Sequence, residues 1–308
     1  MNPKLLIVSG PTSSGKTQIG IELAQKYNGE IVSADSRQVY KGMDIGTGKD
    51  LPKNGIPIWL IDIVPPDYMF NLADYVRFSR IVIKDIWKRK KLPVVVGGTG
   101  LYIESLIKPL NLVNIPRDDI LRQKLEKLKV NDLINILKKR DTSKWESMNI
   151  SDKNNPRRLI RAIEIVQSKN KNINEFLPSD FLMIYLKSNL PILYKRIDKR
   201  VDSRVKEGIV SEIEKLVKSG FSFELPAFSA FPYRFFKSYF NGLNSDEELN
   251  KIIAKWKFEE HALARRQVTW FKKMINQFPQ EQSLSIDITS PDLISKIVAR
   301  VTKWYTDV

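Results

Sequence analysis

The sequence predicts an α/β protein with a parallel β-sheet core, helices on both faces of the sheet, a phosphate-binding loop of the P-loop NTPase kind, and a helical insertion. A complete G-x-x-x-x-G-K-[ST] segment lies at residues 10–17, between an apolar run and an amphipathic one. Strand-like and helix-like stretches then alternate, as they do in parallel sheets with crossover helices. Over residues 115–177 strand signals almost vanish while Lys, Arg and Asn become frequent, which indicates the insertion.

Each element follows from its hydrophobic period and its flanking residues. Strands are predicted over residues 4–9, 30–33, 57–63, 92–96 and 181–186. Helices are predicted over residues 17–27, 71–90, 117–140, 155–168, 190–219, 246–277 and 287–307. Residues 226–240 are rich in aromatic side chains and fit neither a helix nor a strand. We therefore place the α/β core with its C-terminal helices at residues 1–114 and 178–308, and the insertion at residues 115–177.

Composition limits the classes of protein and site. The 308 residues are 42% hydrophobic, and no apolar run approaches the ~20 residues that span a bilayer. The chain has no Cys and a single His, His261, which excludes disulfides, thiolate metal sites and His-rich metal sites. We expect a cytoplasmic protein that contacts no membrane and, because its surface is charged, is a monomer.

The charge balance points to a polyanionic partner. Lys and Arg number 51 against 35 Asp and Glu, a net charge of +16. An excess of this size is typical of proteins that bind nucleic acid. A Lys-rich composition inherited from an AT-biased genome is the alternative.

The loop at residues 10–17 predicts a diphosphate or triphosphate site. Its backbone N–H groups lie at the N-terminus of a helix, where anions bind. Lys16 adds a positive charge, and the Thr17 hydroxyl can hold Mg²⁺. The loop residues expected at the phosphates are Gly10, Thr12, Ser13, Ser14, Gly15, Lys16 and Thr17.

Three further segments follow predicted strands, where ligands bind in open parallel sheets. Asp35 follows the second strand and could act as a general base, help to hold a metal, or cap a helix. The segment GGTGLY at 97–102 presents the Thr99 hydroxyl beside glycines that allow close approach, either to a ligand or to a packed helix. The segment DIGTGK at 44–49 predicts a tight loop near an anion, with Lys49 available for charge, or else a plain glycine turn.

Three basic segments are candidates for phosphate or base contact. Arg158 and Arg161 lie one helical turn apart, as in helices that grip a phosphate backbone, or else on a solvated face. Arg196 and Arg200, also one turn apart, could clamp a diphosphate, or could pair with nearby aspartates. The segment ARRQVTWFKK at 264–273 mixes cations with aromatic residues, which suits unpaired RNA bases, or else an amphipathic helix with a buried face.

Taken together, these segments resemble the tRNA dimethylallyltransferases (tRNA isopentenyltransferases). The resemblance rests on GPTSSGKT, SADSRQVY, DIGTGK, GGTGLY, NPRRLIRAIEI, the RIDKRVD…EGIVSEIEKL stretch and RRQVTWF, in the family's order from residue 10 to about residue 271. It implies transfer of a dimethylallyl group from dimethylallyl diphosphate to the N6 amine of the adenine 3′ to the anticodon. It also implies that the insertion helps to grip the anticodon stem-loop of tRNA, and that Mg²⁺ is the cofactor.

The resemblance also implies roles for individual residues. Asp35 would be the general base, Thr99 would bond the bridging oxygen of the leaving diphosphate, and Arg200, with Arg196 beside it, would neutralise that diphosphate. The tRNA contacts implied are Ser36, Arg37, Gln38, Arg158, Arg161, Arg265, Arg266 and Gln267.

The sequence departs from the family pattern at two places and leaves other functions open. Pro232 stands where a Gly usually precedes the Tyr, and the three residues 261–263 read His-Ala-Leu in place of Arg-Arg-Tyr. A small-molecule kinase shares the phosphate loop, and an adenylate isopentenyltransferase, which modifies free AMP, ADP or ATP, shares the core. An RNA-binding protein that has lost activity is the non-enzymatic alternative.

Overall fold

The computed structural model describes residues 3–49, 55–108, 115, 117–168, 178 and 180–306. The chain divides into two compact units, one formed by Met1–Lys108 with Phe176–Val308 and the other by Pro109–Glu175. The boundaries placed from the sequence, at 114/115 and 177/178, adjoin residues outside the described part of the chain.

The first unit is built on a six-stranded sheet in which every pairing is parallel. Its order is β3-β2-β4-β1-β5-β6. The strands are β1 Lys4–Ser9, β2 Gly29–Ser33, β3 Ile58–Trp59, β4 Leu92–Gly97, β5 Asp180–Lys187 and β6 Ser283–Asp287. The predicted parallel α/β architecture is confirmed, and β2, β4 and β1 lie side by side with their carboxyl ends at one edge.

The helices of the two units alternate with the strands or follow them. They are α1 Lys16–Lys26, α2 Leu72–Lys88, α3 Gly100–Ile107, α4 Asp119–Leu125, α5 Val130–Arg140, α6 Thr142–Ser147, α7 Ile150–Lys153, α8 Pro156–Gln167, α9 Leu190–Lys206, α10 Ile209–Lys218, α11 Lys237–Phe240, α12 Asp246–Ile275 and α13 Leu293–Thr306. No helix in the described residues is long and apolar enough to cross a membrane.

Both faces of the sheet are covered. Leu6 and Val8 of β1 belong to the same core cluster as Ile19 of α1. Leu5 and Ile7, which alternate with them and point to the other face, are also fully buried. A strand buried on both faces must have helices on both sides, and this explains why β1 is a continuous apolar run.

Several predicted elements differ from those observed. The helix expected over 190–219 is two helices, because Gly208 adopts a left-handed backbone with φ 98° and ends the first one. The strand expected over 57–63 stops after Trp59, where Leu60 and Asp62 have positive φ. Strand β6 was not predicted, and the last helix begins at Leu293 instead of at 287.

The aromatic segment forms two short 3₁₀ turns, Pro226–Ser229 and Tyr233–Phe236, followed by α11. The prediction that residues 226–240 form neither a clean helix nor a clean strand is confirmed. Its side chains Phe228, Tyr233 and Phe236 are fully buried, so the segment belongs to the core.

The second unit is a small helical bundle with its own core. Leu133 and Leu137 of α5 pack with Leu159 and Ile163 of α8. Helix α8 begins where the sequence predicts, because the Asn155 side chain accepts from the Arg158 N–H and Pro156 starts the first turn. The continuous helix expected over 117–140 is instead α4 and α5.

A buried carboxylate ties β2 to the turn that precedes β4. Glu30 is 1% exposed and accepts hydrogen bonds from Arg89 (Nη2, 2.8 Å), Lys91 (2.7 Å) and the Trp59 indole (2.8 Å). The bonds from Arg89, aided by those from Lys91 and Trp59 and opposed by burial, lower the pKa of Glu30 to about 2. The ionised form of Glu30 is therefore the one that stabilises the fold.

We expect Glu30→Gln to lower the melting temperature at neutral pH and to weaken the pH dependence of stability. A carboxyl with an ordinary pKa of 4.5 and a folded pKa of about 2 contributes about 3 kcal/mol above pH 4.5, and this is lost as the pH falls towards 2. Thermal unfolding between pH 7 and pH 3 tests this. The exposed Glu247, which pairs with Lys251, gives the control Glu247→Gln, and equal slopes for both variants would contradict the assignment.

Candidate active site

The phosphate loop connects β1 to α1 through a turn that only certain residues allow. Gly15 has φ 83° and Ser13 has φ 63°, so the chain passes through the left-handed region before α1 begins. A Cβ on Gly10 would lie 2.7 Å from Ser14 Oγ and 2.9 Å from the Leu186 carbonyl oxygen. The glycines of the motif are therefore required by the fold of the loop as well as by any ligand.

Three buried polar atoms around the loop have no hydrogen-bond partner among the described residues. They are Ser13 Oγ, Ser14 Oγ and Arg200 Nε. A buried polar group without a partner costs free energy, and such groups in native structures are commonly satisfied by a ligand or water. Two hydroxyls and a guanidinium N–H at a helix N-terminus suit the oxygens of a phosphate.

Helix α9 presents three arginines at four-residue spacing along one face. Arg196 donates from Nη1 to the Ser13 carbonyl oxygen at 3.5 Å. Arg200 donates from Nη2 to the Thr12 hydroxyl and to Glu260 Oε2, the latter at 3.0 Å. Arg204, only 6% exposed, pairs with Glu260 Oε1 at 3.7 Å. The predicted neighbours Arg196 and Arg200 thus both contact the phosphate loop.

The ends of β2 and β4 are joined by backbone and side-chain hydrogen bonds. The Ala34 N–H donates to the Val96 carbonyl at 2.8 Å, and the Thr99 N–H donates to the Ala34 carbonyl at 3.1 Å. The Thr99 hydroxyl accepts from the Ser36 N–H at 3.2 Å, and Asp35 Oδ1 accepts from the Arg37 N–H at 2.8 Å. Asp35 therefore caps a turn and no helix, and its carboxylate and the Thr99 hydroxyl line one pocket.

The glycines at the end of β4 and just after it make room for other protein groups. A Cβ on Gly97 would lie 2.2 Å from the Ala34 carbonyl oxygen. On Gly98 it would lie 2.6 Å from Gln267 Nε2, and on Gly100 2.3 Å from the Trp270 ring. Close packing against β2 and α12 thus explains these glycines.

Gln267 of α12 links the two loops that flank the pocket. Its Oε1 accepts from the Thr12 N–H of the phosphate loop at 2.8 Å, and its Nε2 donates to the Gly98 carbonyl at 3.0 Å. One amide thus sets the spacing between the phosphate loop and the segment that carries Thr99.

The loop at residues 44–49 binds an anion that belongs to the protein itself. The N–H groups of Asp44, Ile45 and Gly46 donate to the Glu212 carboxylate at 2.7, 2.6 and 3.1 Å. The Lys49 side chain is 1% exposed and pairs with Asp44 and Asp62, so it is not available for a ligand as the sequence suggested. The predicted tight loop is present, and the anion that its N–H groups bind is the protein's own Glu212 carboxylate.

These loops and helices enclose a pocket of about 360 Å³. Most residues predicted from the sequence to act at a site lie together on its wall. They are Thr12, Lys16, Thr17, Asp35, Ser36, Arg37, Gln38, Thr99, Arg200, Arg266 and Gln267.

The other predicted residues do not line this pocket. Gly10, Ser13, Ser14 and Gly15 belong to the phosphate loop but are not among the residues that line the pocket, and Arg196 contacts that loop at Ser13. Arg265 points to the Tyr194 hydroxyl, to which it donates at 2.9 Å. In the second unit Arg158 pairs with Asp152, and Arg161 pairs with Glu164 at 3.0 Å and donates to the Ile115 carbonyl at 2.7 Å.

The structure adds residues to the site that the sequence reading did not select. Arg204, Glu260 and Leu263 also line the pocket, with Phe231 of the aromatic segment. Glu260, Leu263 and Gln267 are spaced i, i+3, i+7, so they share one face of α12. That spacing was visible in the sequence, but nothing there showed which face of the helix meets the phosphate loop.

Comparisons with known proteins give matches over nearly the whole chain. A family model described as IPP transferase matches residues 38–274, and one described as isopentenyl transferase matches residues 3–56. A Roseiflexus sp. (strain RS-1) protein named tRNA dimethylallyltransferase is 38% identical over 97% of this chain and 98% of its own length. This chain belongs to the IPP transferase family. A Geotalea daltonii relative, named tRNA dimethylallyltransferase 1, is 40% identical over 88% of this chain and 87% of its own length.

Solved structures of similar proteins share the IPP transferase fold seen here. The full-length tRNA isopentenylpyrophosphate transferase from Bacillus halodurans matches with a TM-score of 0.69 and 33% identity, over 99% of this chain and 98% of that one. A eukaryotic dimethylallyltransferase, described as acting on tRNA, matches with a TM-score of 0.81 and 27% identity, over 97% of this chain and 78% of that one.

The positions where this IPP transferase departs from the family pattern lie close to the pocket. Leu263 lines the pocket directly. His261 stacks on Tyr194 with 4.1 Å between ring centroids, and its Nε2 lies 2.8 Å from Asp198 Oδ1. Pro232 follows Phe231 through a cis peptide bond, next to the buried Tyr233.

We expect Gln267→Leu to weaken the binding of inorganic diphosphate with Mg²⁺ by about tenfold, since the Thr12 N–H loses its partner and the phosphate loop is no longer tied to Gly98. Isothermal titration calorimetry measures this without a second substrate. Gln280→Leu, at an exposed position outside the pocket, is the matched control. Unchanged binding in Gln267→Leu would show that the amide does not organise the loop.

Proposed function

We propose that this protein transfers a dimethylallyl group from dimethylallyl diphosphate to the N6 amine of the adenine 3′ to the anticodon of tRNA, releasing diphosphate. The observation that carries the proposal is one pocket that combines a phosphate loop, the Asp35 carboxylate and the Thr99 hydroxyl. Relatives and solved structures named for this transfer match nearly the whole chain.

The amine needs help to act as a nucleophile. The lone pair of an adenine amine is delocalised into the ring, so removal of its proton as the new N–C bond forms lowers the barrier. Asp35 is suited to take that proton, because the Arg37 N–H holds Oδ1 at 2.8 Å and orients the carboxylate in the pocket. The proton passes to the carboxylate, and the departing diphosphate leaves with the bonding electron pair of the broken C–O bond.

The leaving diphosphate gains charge as the C–O bond breaks, and donors aimed at that charge stabilise the transition state. Lys16 and Arg200 supply positive charge, and Arg196 supports the loop at Ser13. The Thr99 hydroxyl accepts from the Ser36 N–H at 3.2 Å, so its own hydrogen remains for the bridging oxygen. The loop thus holds a leaving group and transfers no phosphoryl group.

The pocket also fits a magnesium ion bound together with the diphosphate. Mg²⁺ prefers oxygen ligands and usually binds through one or two protein oxygens, waters and substrate phosphates. The Thr17 hydroxyl provides such an oxygen on the pocket wall. Among the described residues no group of three or more acidic or His side chains is placed to hold a metal. When bound, Mg²⁺ would neutralise charge on the diphosphate.

The tRNA contacts belong to the same proposal. Ser36, Arg37, Gln38 and Arg266 lie on the pocket wall, where a flipped-out adenine would enter. Arg37 donates to the Ser229 hydroxyl, and Gln38 donates to the Gly48 carbonyl. These bonds fix the orientation of both polar side chains in the pocket wall.

The more distant arginines would contact the RNA backbone. We propose that Arg158, Arg161 and Arg265 contribute to gripping the anticodon stem-loop. Arg158 is more than half exposed, and its pairing with Asp152 is a surface ion pair that a phosphate can replace at little cost. A tRNA substrate also supports a cytoplasmic location. The monomeric state remains a prediction.

The two alternative enzymatic functions would use different substrates. A small-molecule kinase would consume ATP and would leave the basic second unit without a role. An adenylate isopentenyltransferase would label free nucleotides. Neither is favoured by the relatives, which are named for tRNA.

Transfer of label from radioactive dimethylallyl diphosphate, with Mg²⁺ and with unmodified tRNA and free AMP offered side by side, tests the proposal. We expect label on tRNA alone, lost when the adenine 3′ to the anticodon is replaced by guanine. Label on AMP would move the protein to the adenylate class. Label on neither, with ATP turnover, would favour a kinase.

We expect Asp35→Asn to lower the transfer rate by about 10²–10⁴-fold, the range measured for the loss of a general base. Binding of tRNA, measured by filter retention, should stay within about twofold, because the amide keeps the shape of the carboxylate. An Asp67→Asn variant, outside the pocket, controls for a change of charge alone. Wild-type turnover in Asp35→Asn would remove Asp35 from the mechanism.

A further inference from the structure

A negative charge is buried in the wall of a site that we expect to bind a diphosphate. Glu260 of α12 is 5% exposed and lines the same pocket as Thr12, Lys16 and Arg200. A carboxylate next to an anion site repels the ligand, so its presence there requires a physical reason.

The hydrogen bonds of Glu260 supply that reason. Oε2 accepts from Arg200 Nη2 at 3.0 Å and lies 3.5 Å from the Thr12 hydroxyl, while Oε1 accepts from the Trp256 indole at 3.3 Å. Arg200 Nη2 also donates to the Thr12 hydroxyl. The carboxylate, the guanidinium and the hydroxyl therefore form a closed triangle that fixes one edge of Arg200 against the phosphate loop.

The same carboxylate separates two like charges. Arg200 and Arg204 lie one turn apart on α9, and Arg204 is 6% exposed and 3.7 Å from Glu260 Oε1. Without an anion between them, two adjacent guanidinium groups repel each other, and the buried Arg204 loses its ion pair with Glu260. Arg200, whose side chain is 30% exposed, would be the one free to turn away.

We propose, resting on the proposed function, that Glu260 is a positioning residue for the transfer. It holds Nη2 of Arg200 against Glu260 and Thr12. The Arg200 Nε–H is buried and has no partner among the described residues, so it remains available to the leaving diphosphate. A guanidinium held in advance stabilises developing charge without reorganising during the reaction. Glu260 itself touches neither the adenine nor the diphosphate in this role.

Positioning, screening and simple stability predict different results for Glu260→Gln. Gln has the size of Glu, but its NH₂ group would face the donors of Arg200 or Trp256, and two donors cannot form a hydrogen bond with each other. We therefore expect the contacts among Glu260, Arg200 and Thr12 to break. If Glu260 positions Arg200, kcat falls about tenfold or more, part of the 10²–10³ that a whole aligned donor contributes, and inorganic diphosphate binds more weakly. If Glu260 only screens charge, its removal makes the pocket more positive and diphosphate binds more tightly.

A double-mutant cycle with Arg200→Ala tests the coupling directly. Because Glu260 acts through Arg200, we expect Glu260→Gln to change kcat less than about threefold once Arg200 is absent, although it changes kcat about tenfold in the wild type. Glu260→Asp, which keeps the charge but is one methylene shorter, should recover part of the lost kcat. Glu259→Gln removes the same charge from the next residue, which pairs with Arg234 at 3.5 Å outside the pocket, and is the matched control.

Several outcomes would overturn the proposal. They are equal effects of Glu260→Gln with and without Arg200, tighter diphosphate binding, or a lower melting temperature with kcat and diphosphate affinity unchanged. Diphosphate affinity is measured by calorimetry with Mg²⁺ and needs no tRNA. Absence of transfer in the wild type would therefore reject the proposed function, while the calorimetric comparison would still decide whether Glu260 orients the diphosphate site.

Discussion

The meeting of two strand ends is the constraint on which the site depends. In the order β2-β4-β1, the segments after β2, β4 and β1 carry Asp35, Thr99 and the phosphate loop to one edge of the sheet. The exchange of hydrogen bonds between Ala34, Val96 and Thr99 holds the first two segments in contact. This contact is possible only because residue 97 has no side chain: a Cβ there would overlap the Ala34 carbonyl. The Asp35 carboxylate and the Thr99 hydroxyl are thus placed together by backbone geometry.

Helix α12 then sets the position of the phosphate loop relative to those segments. Glu260 and Gln267 lie two turns apart on one face, and both contact Thr12, one at its hydroxyl and the other at its N–H. The residue is therefore held by its side chain and its backbone from the same helix. Because a 30-residue helix packed along α9 is stiff, this arrangement makes the loop part of a rigid wall.

The sequence allowed much of this fold to be predicted, for physical reasons that differ between elements. Strand β1 is apolar on both faces and precedes a motif, so its bounds were found. Strand β6 does alternate polar and apolar residues, but it has only five residues, of which two are apolar, and so short a pattern was overlooked. Gly208 was overlooked because one glycine in a charged helical stretch does not reveal its φ. In the site, motifs identified Asp35, Thr99 and Lys16. Glu260 and Glu212 could not be identified, since their importance arises from packing between segments distant in the chain, and no local pattern records that.

The loop at 44–49 shows how differently neighbouring residues can be constrained in evolution. Asp44 and Ile45 hold Glu212 through backbone N–H groups alone, so residues with other side chains at these two positions could donate the same bonds. Gly46 cannot change in that way, because a Cβ there would meet the Tyr233 ring at 2.4 Å, and Tyr233 donates to the same Glu212 at 2.7 Å. Residues 46, 212 and 233 are thus packed as one unit. A larger side chain at position 46 would have to displace the Tyr233 ring and, with it, a hydrogen-bond donor to Glu212.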